Sequence, residues 1–355
     1  MKIAFVIGLY PFDIGGAEMQ AREIALSLAK LGHSIHYISY TSKTYSSNKF
    51  EVLHIPTRSK FDFFHVGTRK KMYKALDCIK PDIVYHRAFV PYSRYIAYWC
   101  KANNVPFYFH SADIYTLTRK NDTLYNIIQN RWLKYTLLNA EGVICQNEEQ
   151  FSALQSYRLR KVQIIYNMQR TNTAILKKEK KTNIVWIGKF EPIKQPEIFV
   201  DFIKRYSNPS IEFTIFSSKC AETAENQRLL ETISHDKRVT LFEGKDNDYI
   251  NDFLCKKATL LVNTSVSEGI SNTFIQAWMR GIPVLSLNSN PEGWFDSNEL
   301  GGYCYGNPYM LDKLVDKFTD KEYYNHVSKY VVTFAENKFS PEIVTPQLCY
   351  FMNIK

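Results

Sequence analysis

The sequence predicts an α/β fold of two doubly wound, Rossmann-like domains, and three observations carry that prediction. Its 355 residues exceed what one hydrophobic core ordinarily holds. Short β-branched and aromatic runs alternate with helical stretches from the first residues onward, as a parallel sheet with helical crossovers requires. Near the middle, Gln169 to Thr182 (QRTNTAILKKEKKT) is polar, lysine-rich and without periodicity, and the alternation restarts after it.

The elements follow in order. A strand over Lys2 to Leu9 leads through the loop Tyr10 to Gly16 into a helix over Ala17 to Lys30, and a second strand covers Ser34 to Tyr40. Ile24, Leu28 and Leu31 share one helical face, and Gly32 stands where a left-handed C-cap is needed. Further strands are predicted at Asp82 to Tyr85, Pro106 to His110, Gly142 to Gln146 and Gln163 to Tyr166. The second half repeats the pattern with Asn183 to Ile187, Glu212 to Phe216, Val239 to Phe242, Thr259 to Asn263 and Pro283 to Leu287. Ligands of such folds bind at the carboxyl ends of the strands, so a central cleft between two domains is expected.

Composition narrows the function. An apolar fraction of 45% with mixed charge suits a globular chain and excludes disorder. No run approaches 18 apolar residues, MKIAFVIGLYPF lacks a signal-peptide pattern, and the seven scattered cysteines lack CxxC pairing, so a cytoplasmic protein is expected. Met1 to Met168 holds 22 Lys/Arg against 12 Asp/Glu, a net +10, whereas the remainder holds 23 against 23. Such asymmetry, with the cluster Arg69, Lys70, Lys71, Lys74, suits peripheral contact with an anionic membrane, or equally a solvated helix face. No helix-turn-helix, zinc finger or RNA-binding signature accompanies it, so no nucleic acid partner is expected.

Two segments carry chemistry. After the strand at Asn183, Gly188 to Lys194 (GKFEPIK) places Lys189 and Lys194 on a strand-to-helix loop, where both can converge on an anion or simply face solvent. Ser267 to Pro283 (SEGISNTFIQAWMRGIP) follows the strand ending at Asn263. There Gly269 permits close backbone approach, Ser271, Asn272 or Thr273 can cap a helix running to about Arg280, and Gly281 and Pro283 end it. The helix N-terminus and its free amides suit a phosphate. Glu268 can accept sugar hydroxyls or complement the helix dipole.

Both segments resemble the donor-site motifs of the retaining GT4 glycosyltransferases, and Gly15-Gly16-Ala17-Glu18 is similar to that family's GGAE loop. The resemblance implies a GT-B fold, with an acceptor-binding domain 1–168, a linker 169–182, a donor-binding domain 183–338 and a crossover helix 339–355. It implies a nucleotide-sugar donor, UDP-sugar first, and a glycan or lipid-linked acceptor in cell-surface polysaccharide synthesis. Glu268 matches the first Glu of the family's E-x7-E motif, toward the donor sugar. Gln276 stands at the second, where the family usually has a Glu for the ribose; its other reading is a capping box with Thr273. Gly269, Ile270, Ser271 and Asn272 complete the donor segment. Lys189 stands where Arg is common, a point charge without the bidentate fork.

Gly15 and Gly16 resemble the loop that approaches the donor, or form a simple turn. His110 resembles the family's cleft histidine, and a structural histidine is the competing reading. His110, Glu268 and Lys194 are thus the implied catalytic set. Retaining enzymes of this type let the departing phosphate help deprotonate the acceptor, so positioning and electrostatics suffice. No cofactor and no metal are implied, although Asp246-Asn247-Asp248 is a D-x-D string, expected to lie away from the donor segment. The alternatives are a nucleotide-sugar epimerase of the same fold and a noncatalytic nucleotide-binding partner subunit, the latter raised by the Gln276 and Lys189 departures.

Overall fold

The computed structural model describes residues 1–13, 15–40, 50–55, 65–170, 182–218, 220 and 223–355. It divides into two compact units, Met1–Met168 with Pro341–Lys355, and Gln169–Ser340. Each is a parallel sheet covered by helices.

In the first unit the strands are β1 (Lys2–Val6), β2 (Ser34–Ser39), β3 (Glu51–His54), β4 (Ile83–Arg87), β5 (Phe107–His110), β6 (Gly142–Cys145) and β7 (Val162–Ile164). They pair in the order β3-β2-β1-β4-β5-β6-β7, all parallel. Apart from Lys2 the central strands are buried, and all but their polar ends, Lys2, His86-Arg87 and His110, read as apolar and aromatic runs. One face carries the helix Gly16–Lys30 and the C-terminal helix Pro341–Phe351, which pack Ile24 and Leu28 with Leu348 and Phe351. The other carries Val66–Ile79, Ser93–Ala102 and Leu124–Leu138, with Met72, Leu76, Ile96, Leu133 and Leu137 inside.

The second unit holds β8 (Thr182–Ile187), β9 (Ile211–Ser217), β10 (Val239–Glu243), β11 (Leu260–Asn263), β12 (Val284–Ser286) and β13 (Gly301–Tyr303), in the parallel order β10-β9-β8-β11-β12-β13. Trp278 is fully buried here, with Phe274, Phe295, Phe334 and Phe339 around it at centroid distances of 5.5 to 6.4 Å. Both sheets reverse strand order at one place, between β1 and β4 and between β8 and β11, and crevices for ligands open at the carboxyl ends of such switch points.

The sequence boundaries shift in places. Most of the predicted linker, 171–181, lies outside the described residues, but Gln169 is buried and donates its amide to the Phe339 carbonyl, within the second unit. Phe339 ends the helix Lys321–Phe339 rather than opening the last one. Ser340 is extended (φ −67°, ψ 148°) and Pro341 restarts the helix, as a proline can at a first helical turn. The strands β3 and β13 were not predicted. Both are short edge strands, and β13 opens with two glycines.

Candidate functional site

The second unit builds its site on the loops after β8 and β11, the two strands flanking its switch point. Gly188 follows β8 because a Cβ there would fall 2.8 Å from the Trp186 ring. The indole is itself fixed by Phe199, stacked at 6.2 Å, and donates to Thr264 Oγ1 at 3.0 Å. Thr264 Oγ1 in turn donates to the Lys194 carbonyl at 2.6 Å, and the Val266 amide donates to the Ile193 carbonyl at 2.9 Å. The two loops are thereby laced together. Asn288, beyond β12, ties them further, its Nδ2 lying 3.1 Å from both Gln195 Oε1 and the Ser265 carbonyl.

This lacing brings together side chains 74 residues apart. Lys194 Nζ donates to Glu268 Oε1, which also accepts from Ser265 Oγ at 2.8 Å. The lysine side chain is 28% exposed and the glutamate 16%, so the pair is half-sheltered and more than a surface ion pair. An ammonium has three donors and a carboxylate two oxygens; with Oε1 serving Lys194 and Ser265, Oε2 is the oxygen suited to a ligand hydroxyl. Lys189 is placed differently. It is 63% exposed and pairs loosely with Glu191 at 3.7 Å, on its own loop and apart from the Lys194–Glu268 bond.

The helix after Glu268 is shorter than expected, Asn272–Trp278, and Ser271 is its cap, accepting from the Thr273 amide at 3.3 Å. The expectation of free amides is corrected accordingly, because the Thr273 amide is taken by the cap and two turns give a weaker dipole. Gly269 is exposed and Ile270 buried. Gln276 is buried and donates through Nε2 to Asn247 Oδ1 at 2.6 Å. With Ser271 as cap, the third helical position is Phe274, so Gln276 is not a capping-box partner of Thr273. The same bond corrects the placing of Asp246-Asn247-Asp248. Asp246 caps the helix Asn247–Lys256, and Asn247 accepts from Gln276, inside the segment Ser267 to Pro283. Among the described residues, no three His, Cys, Asp or Glu gather as a metal-binding group.

The first unit places a polar cluster at its own switch point. Gly15 precedes the helix Gly16–Lys30 in extended backbone, and a Cβ on it would lie 2.1 Å from Glu18 Oε2. Burial raises the Glu18 pKa, opposed by a backbone hydrogen bond; Asp13 raises it further and Arg87 lowers it. Across the switch, the last residue of β4, Arg87, is 2% exposed. Its Nη2 donates to Asn167 Oδ1 at 2.7 Å, Asn167 Nδ2 donates to Gln146 Oε1 at 2.8 Å, and Gln146 Nε2 donates to the Ser111 carbonyl at 2.7 Å. His110, also buried, has Tyr85 Oη 2.7 Å from its Nδ1 and Arg87 Nη1 3.1 Å and 3.2 Å from its two ring nitrogens. A guanidinium only donates, so the ring accepts and is neutral. Burial, then the Arg87 charge, holds its pKa well below the ordinary histidine value.

Sequence reasoning missed Tyr85, Arg87, Gln146 and Asn167 in this cluster, and Thr264, Ser265 and Asn288 in the other. The available signal was position, since all but Tyr85, which lies inside β4, stand at or shortly beyond the carboxyl end of a strand.

The profile described as Glycosyltransferase Family 4 matches residues 14–171, and that described as Glycosyl transferases group 1 matches residues 181–311. No curated protein matches the sequence. Among solved structures, HepE of Anabaena in complex with UDP and glucose aligns with a TM-score of 0.78 at 15% identity, covering 100% of each chain. Sucrose-phosphate synthase from Thermosynechococcus elongatus aligns at 0.76 and 13%, covering 99% of this chain and 98% of that one. The lipopolysaccharide outer core galactosyltransferase WaaB aligns at 0.70 and 15%, covering 99% of each. At such identities the structures speak for the fold, and the two profiles, consecutive along the chain, speak for the family. With two parallel α/β units in that order, the chain belongs to the GT4-type glycosyltransferases and has the GT-B fold.

Proposed function

We propose that the chain is a retaining transferase that takes its sugar from a UDP-sugar and delivers it to a glycan or lipid-linked acceptor in cell-surface polysaccharide synthesis. The observation that carries the donor reading is the Lys194–Glu268 pair, fixed by Ser265 and the Thr264 and Asn288 bonds at the second unit's switch point. Lys194 neutralises charge that builds on the departing diphosphate, and Lys189 adds a second cation nearer solvent. Glu268 Oε2 accepts a donor-sugar hydroxyl. The segment Gly269, Ile270, Ser271 and Asn272 borders the phosphates, and Gln276 meets the ribose through its carbonyl, its amide nitrogen being given to Asn247. The choice of base is supported by Anabaena HepE, a similar structure solved in complex with UDP-glucose.

In the first unit, Gly15 and Gly16 let backbone approach the donor, and neutral His110 offers a hydrogen bond without adding charge beside the reacting sugar. Retention follows if the departing phosphate takes the acceptor proton on the same face, a route that asks only positioning of the protein and needs no metal or cofactor. The protein is read as cytoplasmic. Among the described residues no helix is long and apolar enough to cross a membrane.

The test is a mass spectrometric screen of UDP, GDP and their sugars, followed by transfer and hydrolysis assays on the donor that binds. A UDP-sugar turned over with retained anomeric configuration is expected. Preference for GDP overturns the donor assignment, an inverted product overturns retention, and UDP-sugar conversion without acceptor or hydrolysis points to an epimerase.

A further inference from the structure

Arg87 is a buried cation without a counter-ion. It ends β4, the neighbour of β1 at the switch point of the first sheet, and is 2% exposed. A guanidinium taken out of water is ordinarily set against a carboxylate, because an unpaired buried charge costs heavily in stability. Among the described residues no carboxylate pairs with this one. Its Nη1 lies against the His110 ring, its Nη2 donates to Asn167 Oδ1, and the Tyr85 phenol is beside it. All three neighbours are uncharged, and Nε, also buried, has no partner. Asn167 is itself held by Gln146 at 2.8 Å, so the guanidinium is fixed in place while one of its donors goes unused.

Two acids share this end of the sheet and neither neutralises it. Asp13 Oδ2 accepts from the Leu9 amide at 3.1 Å, within its own loop. Glu18 feels the Arg87 charge without forming an ion pair with it, and burial draws its carboxyl toward the neutral form. The backbone also singles the place out. Ala88, the next residue, takes a left-handed conformation at φ +64°, which a residue with a Cβ adopts at a cost, and its amide donates to the His110 carbonyl at 3.1 Å. Ala88, Gly15 and Glu18 are half-buried and Gly16 is exposed, so solvent reaches this end of the sheet.

We propose that Arg87 binds an anionic group carried by the acceptor, a phosphate or a sugar carboxylate, and that the protein thereby selects a charged acceptor over a neutral one. In the donor reading above, Lys194 and Lys189 of the second unit already answer the charges of a nucleotide diphosphate, which leaves Arg87 unmatched. Nε–H and an Nη–H of one guanidinium form a planar fork that fits two oxygens of a phosphate or a carboxylate. The ligand then supplies the counter-ion that the fold withholds. Calling the anion the acceptor's rests on the transferase reading. The two fail differently, since a wrong donor assignment shows as a parent protein that binds no UDP.

The test is calorimetry on the full chain saturated with UDP, which occupies the lysines of the second unit. Phenyl phosphate, glucose 6-phosphate and glucuronate are compared with glucose. At least one charged probe is expected to bind about 30-fold or more tighter than glucose. Preference for the phosphates assigns a phosphorylated acceptor, and preference for glucuronate an acidic sugar. Arg87→Gln is expected to abolish the advantage, and Arg87→Lys, charged but without the fork, to restore part of it. Both variants are expected to bind UDP within about threefold of the parent and to keep its circular dichroism. A reading that needs no variant is the parent's unfolding midpoint, which the preferred anion is expected to raise and glucose to leave unchanged. No advantage for any charged probe, or an advantage that survives in folded Arg87→Gln, would overturn the proposal. So would a tenfold or greater loss of UDP affinity in Arg87→Gln, on the order of one charge-assisted bond, because it gives the cation to the donor.

Discussion

Glu268 and Lys194 share one hydrogen bond and are expected to fail in different ways. Glu268→Gln keeps the shape and an oxygen for Ser265 but loses the charge that fixes a sugar hydroxyl, so kcat is expected to fall by about 100-fold or more with UDP affinity nearly unchanged. Lys194→Ala removes the phosphate's cation and is expected to weaken UDP binding by about tenfold or more, read by calorimetry. The histidines make a separate prediction. His86 is buried against Ser93 Oγ at 2.7 Å, and burial lowers its pKa from 6.5 to about 4. The unfolded chain takes up this proton below about pH 6.5 while the folded chain refuses it until near pH 4, so stability is full above that window and falls within it. Urea unfolding is expected to show a loss of about 2 kcal/mol from His86 between pH 7 and pH 5, to which His110 adds in the same direction. Equal stability at the two pH values would contradict it. At this scale Lys194 and Glu268 were singled out through the motif resemblance, since lysines on a loop read equally well as surface residues, and their contact with each other was not foreseen. Arg87 was not, since an arginine ending an apolar run reads as a surface residue until Asn167 and His110 are seen around it.

Elements differ in how openly they are written. Central strands such as Ile184–Trp186 in β8 and Leu260–Asn263 are buried on both faces, and continuous apolar runs announce them. The edge strand β13 has no such run. Its Gly301 sits at φ +136°, with an added Cβ 2.0 Å from the Val284 carbonyl oxygen, so glycine is what lets this strand pair with β12. Gly301→Ala is accordingly expected to cost about 2 kcal/mol or more, measured as a lowered unfolding midpoint, and a midpoint like that of the parent would contradict the close approach. The helix Asn272–Trp278 shows the opposite case. Its existence was legible from Ser271 to Gly281, but its length was not, because the chain already turns at Met279 and Arg280, whose amide bonds to the Ala277 carbonyl.

The C-terminal helix decides the make-up of the whole molecule. Pro341–Phe351 follows the second unit in sequence yet belongs to the first, where Phe351 packs on Tyr108 at 5.9 Å and under Lys161 at 4.3 Å. Gly142 makes room for it, since a Cβ there would lie 2.7 Å from the Phe351 ring. Phe351→Ala is expected to destabilise the first unit by about 3 to 5 kcal/mol. Deleting 341–355 is expected to make residues 1–168 susceptible to protease while Gln169–Ser340 survives. Loss of both units together would contradict the division. Sequence reasoning placed a last helix here through family resemblance, but no residue pattern said which unit it would complete, because that depends on the Gly142 gap.

The central claim is that the Lys194–Glu268 pair holds a nucleotide sugar for transfer. The most direct measurement is chromatographic release of UDP from UDP-sugars by the full chain and by Glu268→Gln at equal concentration, with acceptor present. Release by the parent, reduced by about 100-fold or more in the variant while UDP still binds, is the predicted result. Release by the variant at the parental rate, or none by the parent across the donor panel, would contradict it.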